Sequence, residues 1–206
     1  MKIGNIDVRA FVVTVQEIPE KTRIIQDHFK SVGVEAENFN GVNSNISGLK
    51  TIHPYELDNP GSGWNIGAKP VGTWMSFYMM WSAMQYMPES HFMTLEWDAK
   101  FHDDWKARAD AAVLSAPPDF DLLLLGSCCT KDAQKTHVAG DVYDVRWPMC
   151  GHATIVAKKA LPIMLSTQRK VYAPLDISLA LHTFQHLKVY TVIPRLVDQF
   201  DTFLQD

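Results

Sequence analysis

The run Leu122-Leu123-Leu124-Leu125-Gly126 limits the folds open to this chain more than any other stretch. A strand built from five consecutive non-polar residues cannot alternate between core and water, so both of its faces must be covered, as in parallel sheets held between helices. The segments around it alternate in kind. Val8 to Val15 is a β-branched run, and Pro19 with Glu20 opens a helix whose Ile24, Ile25, Phe29 and Val32 recur at helical spacing until Gly33 stops it. Val34 to Phe39 is a second strand candidate. From Val71 to Met87 no breaker follows Gly72, and Trp74, Phe77, Tyr78 and Trp81 fall on one helical stripe that ends at Pro88. A strand from His91 and a polar helix from about Asp103 to Leu114 precede the leucine run. Val142 to Val145 and Ala153 to Ala157 read as strands, Lys158 to Thr167 as a helix, and Pro174 opens a helix reaching His182. Lys188 to Ile193 is a last strand, with the tail from Arg195 to Asp206 as a short covering helix. This order predicts an α/β fold, a mostly parallel central sheet flanked by helices, in one domain over residues 1–206.

Composition excludes several classes. With 19 basic and 23 acidic residues there is no electrostatic footprint for nucleic acid or an anionic membrane. No apolar run approaches a membrane span, and the polar start is unlike a signal peptide, so a cytoplasmic protein is expected, its oligomeric state open. Cys128, Cys129 and Cys150 make a poor disulfide framework and read as reduced, small buried residues; a cysteine nucleophile paired with His137 or His152 is the alternative. Asn45-Ile46-Ser47 matches a glycosylation acceptor, read as a coincidence without a secretory signal. Residues 44–63 read as a long surface loop.

The chemistry points to Glu96-Trp97-Asp98, which closes the apolar strand His91 to Leu95. On an extended backbone, side chains two apart share a face, so Glu96 and Asp98 would converge while Trp97 turns away. Paired carboxylates suit a hard cation, Mn²⁺ or Mg²⁺, whose other positions go to water and phosphate oxygens. The plain alternative is a solvated strand end.

Several short motifs then fall in a familiar order. Phe11-Val12-Val13-Thr14-Val15, Pro19-Glu20-Lys21-Thr22-Arg23, Phe39-Asn40-Gly41-Val42-Asn43 and Val71-Gly72-Thr73-Trp74-Met75-Ser76 come first. Leu95-Glu96-Trp97-Asp98-Ala99, Phe120 to Gly126, Gly151 to Ala160 and Ala173-Pro174-Leu175-Asp176 follow. Together the chain resembles glycosyltransferase family 25, the group of bacterial lipooligosaccharide and collagen galactosyltransferases, over nearly its whole length. The sequence departs from that family at Phe77, where a histidine is usual, and at Trp97, where the family has a middle acid.

The resemblance implies a GT-A nucleotide-sugar-binding fold and a metal-dependent transferase. Its donor would be UDP-galactose or UDP-glucose, and its acceptor a hydroxyl on a carbohydrate or glycoprotein. It implies Asp98 as metal ligand, Glu96 on the metal or the ribose, and a third ligand from His182 or His186, four apart near a helix end. Thr14, Val15 and Glu17 would hold the nucleotide; Arg23 would reach the diphosphate or be a solvated helix residue. His152, after Gly151, would donate to diphosphate or sugar. Asp176 is either the base for the acceptor hydroxyl or a first-turn carboxylate stabilising its helix. Two other classes stay open: a nucleotidyltransferase or an inactive nucleotide-sugar binder, and a carbohydrate-binding module stacking sugars on Trp64, Trp74, Trp81 and Trp105.

Overall fold

A computed structural model describes residues 1–14, 19–44, 68–128, 134–171 and 173–200. Its first half runs β1 (Lys2–Ile3), β2 (Ile6–Thr14), α1 (Pro19–Ser31), β3 (Ala36–Asn40), α2 (Ala68–Met84), β4 (His91–Leu95), β5 (Ala99–Phe101) and α3 (Trp105–Ser115). The second half runs β6 (Leu122–Cys128), β7 (Lys135–Ala139), β8 (Val142–Val145), β9 (Met149–Ala157), α4 (Leu161–Thr167), α5 (Leu175–His182), β10 (Val189–Val192) and β11 (Val197–Gln199).

Nine strands form one sheet in the order β1-β2-β4-β9-β6-β10-β8-β7, with β3 also on β2, while β5 and β11 form a small second sheet. The large sheet is mixed, not mostly parallel. β2 runs parallel to β3 and β4, and β10 parallel to β6, but β9 lies antiparallel between β4 and β6. The reason is connectivity. A parallel return needs a crossover, usually a helix, whereas the described residues between β6 and β9 form the antiparallel pair β7–β8, and the chain comes back in the opposite direction. The apolar leucine run reported that both faces are covered and carried no information about direction.

Coverage itself is as expected. Leu123 and Leu125 join Met93 and Leu95 in a core with Ile25 and Phe29 of α1 and Trp105 and Ala109 of α3. Leu122 and Leu124 face the other way, against Phe77 and Trp81 of α2 and Met164 of α4. The aromatic stripe of α2 is packing: Trp74 stacks on Tyr78 at 5.1 Å, and Phe77 and Trp81 sit in the second core. Trp105 is also interior, its Nε1–H donating to the Val32 carbonyl at 2.9 Å, so neither Trp74 nor Trp105 offers a sugar-stacking surface. Trp64, Cys129, Asn45-Ile46-Ser47 and nearly all of the 44–63 stretch lie outside the described residues.

Two local expectations are corrected. Residues 197–199 are strand β11, paired antiparallel to β5 through Val197–Phe101 and Gln199–Ala99, rather than part of a helix. Cys128 and Cys150 are not reduced; they form a disulfide with Cα atoms 5.5 Å apart. Twenty-two residues separate them in sequence, but β6 and β9 are antiparallel neighbours and bring Cys128 opposite Met149. With both sulfurs bonded, neither can be a nucleophile, and His137 Nε2 instead meets the Gly140 carbonyl at 2.9 Å.

Gly126 is where the small sheet seats on the large one. A Cβ there would stand 2.5 Å from the Val197 carbonyl oxygen and 2.9 Å from the Val197 Cβ, closer than either can tolerate. Gly126→Ala is therefore expected to cost about 2–4 kcal/mol in urea denaturation, and a cost below about 0.5 kcal/mol would contradict this seating.

Candidate functional site

β4 stops at Leu95, and the next four residues form a turn closed by the Ala99 N–H donating to the Glu96 carbonyl at 3.2 Å. Alternation survives for two residues beyond the strand. Glu96 follows Thr94 onto the α2 side of the sheet and borders a cavity, while Trp97 packs against the opposite core. At Asp98 the turn takes over: its side chain is buried and does not border the cavity.

The Glu96 carboxylate is held from two strands. His152 of β9 meets Oε2 through Nδ1 at 3.1 Å, and Gln199 of β11 donates to the same oxygen from Nε2 at 3.2 Å. An ionised carboxylate only accepts, so the His152 hydrogen is assigned to Nδ1. His152 is buried, does not border the cavity, and makes its side-chain contact with Glu96.

Asp98 is in a costlier setting. It is 4% exposed, and Oδ1 is buried without a hydrogen-bond partner among the described residues. Burial, and then the nearby Glu96 charge, push its pKa up to about 6 against an ordinary 3.8. A buried carboxylate oxygen lacking a donor is of the chemical type a hard divalent cation takes, but of the two acids only Glu96 borders the cavity. The described residues contain no group of three or more His, Cys, Asp or Glu arranged around a metal. His182, in the last turn of α5, and His186, exposed in a 3₁₀ turn, are not grouped with the acids and do not border the cavity.

The cavity, about 350 Å³, lies between the sheet, α2 and the α4–α5 pair. Asp176 enters it from the first turn of α5, opposite Glu96 in origin. Its Oδ2 accepts the Cys150 N–H at 3.2 Å and its Oδ1 the Ile177 N–H at 2.9 Å, which fixes the carboxylate. Cys150, tied to β6 by its disulfide, has a left-handed φ of 61°, so the chain at the start of β9 turns its N–H toward α5. Lys69 and Thr73 of α2 and Gln199 add polar groups.

The remaining expected nucleotide contacts lie elsewhere. Thr14 is buried at the end of β2, its carbonyl accepting the Gly41 N–H at 2.7 Å, and Arg23 is exposed on α1; neither borders the cavity. Val15 and Glu17 lie outside the described residues. Sequence reasoning missed Gln199, because a three-residue strand leaves too little pattern to read.

No protein-family model matches the chain, and no curated protein matches it. Among solved structures it is similar to a glycosyltransferase involved in the glycosylation of the major capsid of PBCV-1. That likeness has a TM-score of 0.48 and 11% identity over 91% of this chain and 82% of the other. It is also similar to the inositol-1-phosphate CTP transferase from T. maritima, with a TM-score of 0.41 and 12% identity over 94% and 91%.

The raised Asp98 pKa sets a testable pH dependence. A carboxyl whose folded pKa lies above its unfolded value contributes its stability below 3.8 and loses it as pH rises through about 6. The two-unit shift corresponds to roughly 3 kcal/mol at neutral pH. In chelator, Asp98→Asn should match wild type near pH 4 and exceed it by up to that amount at pH 7.5 in urea denaturation. A gap that does not change with pH would refute the buried ionised carboxylate.

Proposed function

We propose that this chain is a glycosyltransferase of GT-A type that moves a hexose, galactose or glucose, from a UDP-sugar to a hydroxyl acceptor, with Mn²⁺ or Mg²⁺ held by Asp98 and Glu96. One observation carries the reading: the buried Asp98 oxygen that has no hydrogen-bond partner among the described residues, coupled electrostatically to a Glu96 carboxylate that opens on a cavity also bordered by Asp176. The resemblance to glycosyltransferase family 25 supplies the donor class.

In this reaction the acceptor oxygen bonds to the anomeric carbon as the bond from that carbon to the diphosphate breaks, and nucleoside diphosphate departs with the electron pair. A bound cation would offset the charge growing on the leaving group. Asp176 takes the proton released by the acceptor hydroxyl, and the Cys150 and Ile177 amides hold it ready. His152 and Gln199 occupy one oxygen of Glu96 and so direct the other. Arg23, on the exposed face of α1, and Thr14 are kept as donor contacts only if the donor reaches the end of β2.

Titrating UDP-galactose and UDP-glucose by calorimetry, with and without Mn²⁺, tests the donor and the ion together. Asp98→Ala is expected to abolish the Mn²⁺-dependent part of donor binding. Undiminished affinity in that variant would defeat the assignment. Asp176→Asn should lower kcat by about 10²–10⁴-fold with donor affinity within twofold of wild type. Metal-dependent donor binding without release of UDP in the presence of any acceptor would identify a nucleotide-sugar binder instead.

A further inference from the structure

β9 falls out of register with its neighbour where it borders the cavity. Leu122, Leu123 and Leu124 of β6 pair in order with Val156, Ile155 and Thr154. From the Gly126–Ala153 pair to the Cys128–Met149 pair, however, β6 advances two residues while β9 advances four. The surplus falls among Cys150, Gly151 and His152, a bulge of the kind that bends a strand and re-aims its groups. Cys150 and Gly151 border the cavity there, together with Asp176. Within the bulge the Cys150 backbone has a left-handed φ of 61°, a conformation that a residue with a Cβ keeps only where its surroundings enforce it.

Two contacts tie Cys150 down: the disulfide to Cys128, and the N–H donated to Asp176 Oδ2 at 3.2 Å. The hydrogen bond is long for one that ends on a carboxylate, so it follows the backbone conformation and does not impose it. The covalent link imposes it. Both cysteines are half-buried, outside the sealed cores, which leaves the bond open to a small thiol. We infer that the Cys128–Cys150 disulfide is a positioning device for Asp176 and makes the site redox-sensitive. Oxidised, it holds Cys150 in the conformation that presents its N–H to Asp176; reduced, the bulge relaxes, that N–H leaves, and the carboxylate keeps the Ile177 N–H. The step is an exchange with a dithiol. The S–S bond breaks, each sulfur gains a proton and an electron, and the reductant closes to its own disulfide. The catalytic consequence rests on the glycosyltransferase reading, whereas the coupling between disulfide and carboxylate does not.

The full-length chain, purified without reductant, is tested before and after treatment with dithiothreitol. Of its three cysteines, one should react with iodoacetamide in denaturant before reduction and all three afterwards. Among the cysteines only Cys150 follows a methionine, so carbonyl-¹³C methionine with ¹⁵N cysteine singles out its amide in the NMR spectrum. Asp176→Asn is expected to shift that signal in the oxidised protein and to shift it about fivefold less in the reduced one. Equal sensitivity in both forms would overturn the inference, and so would three reactive thiols before reduction. Loss of the folded spectrum on reduction would make the bond a lock on the whole fold and would overturn it too. None of these measurements needs donor or acceptor. In the UDP-release assay, reduction should lower kcat about tenfold with donor KM within about twofold. Cys150→Ser should start at the lowered rate and ignore the reductant, and Cys129→Ser should respond as wild type does. A kcat unmoved by complete reduction would defeat the redox sensitivity. No UDP release in any form would defeat transfer, with the amide shifts still deciding the coupling.

Discussion

The molecule's arrangement turns on one unpaid electrostatic debt, the ionised Asp98 carboxylate held out of water with an oxygen that has no hydrogen-bond partner among the described residues. Folding normally avoids this by pairing or neutralising the group. Here the second acid, Glu96, worsens it, and a backbone hydrogen bond and nearby His152 offset only part of it. β5 and β11 close over the turn, the Phe200 N–H takes the Asp98 carbonyl at 2.9 Å, and Gly126 gives up its side chain so that Val197 can approach. Much of the local structure holds a destabilised charge in place.

The same layout explains why the two sides of the sheet differ. The face covered by α1 and α3 is a filled core, with Phe29, Phe101 and Trp105 in edge-on contact. The face covered by α2 and the shorter α4 and α5 is filled around Phe92, Met80 and Met84 and carries the cavity that Glu96 and Asp176 border. Beside the cavity, Gln168, Ser178 and Thr183 are fully buried, Gln168 donating to Thr183 and accepting from Ser178 at 2.8 Å each, which ties α4 to α5. The site is therefore backed by a polar clasp on the helical side and by strand pairing on the other.

Strand and helix positions were legible because hydrophobic spacing is local, and the leucine run, the α2 stripe and the helix after Pro174 all lie where their periodicity puts them. Direction was not legible, since β9 is antiparallel through the route of the chain and not through its own residues. The Cys128–Cys150 pairing was hidden for the same reason. Glu96 and Trp97 followed the two-residue alternation, whereas Asp98 did not, because no breaker residue announces the turn that begins at Glu96. Asp176 was singled out by resemblance, and only the fold shows that it shares a cavity with Glu96. β5 and β11, three residues each, fall below the length at which a pattern can be recognised.

The link between Cys128 and Cys150 also divides the chain's history of damage into two kinds. It closes the β7–β8 excursion into a covalent ring, so a peptide bond cut anywhere between the two cysteines opens the ring without separating its halves. β6 and β9, the neighbours that carry the floor of the cavity, would stay tethered and in register after such a nick. A cut outside the ring has no such safeguard, and the fragments part as soon as their packing fails.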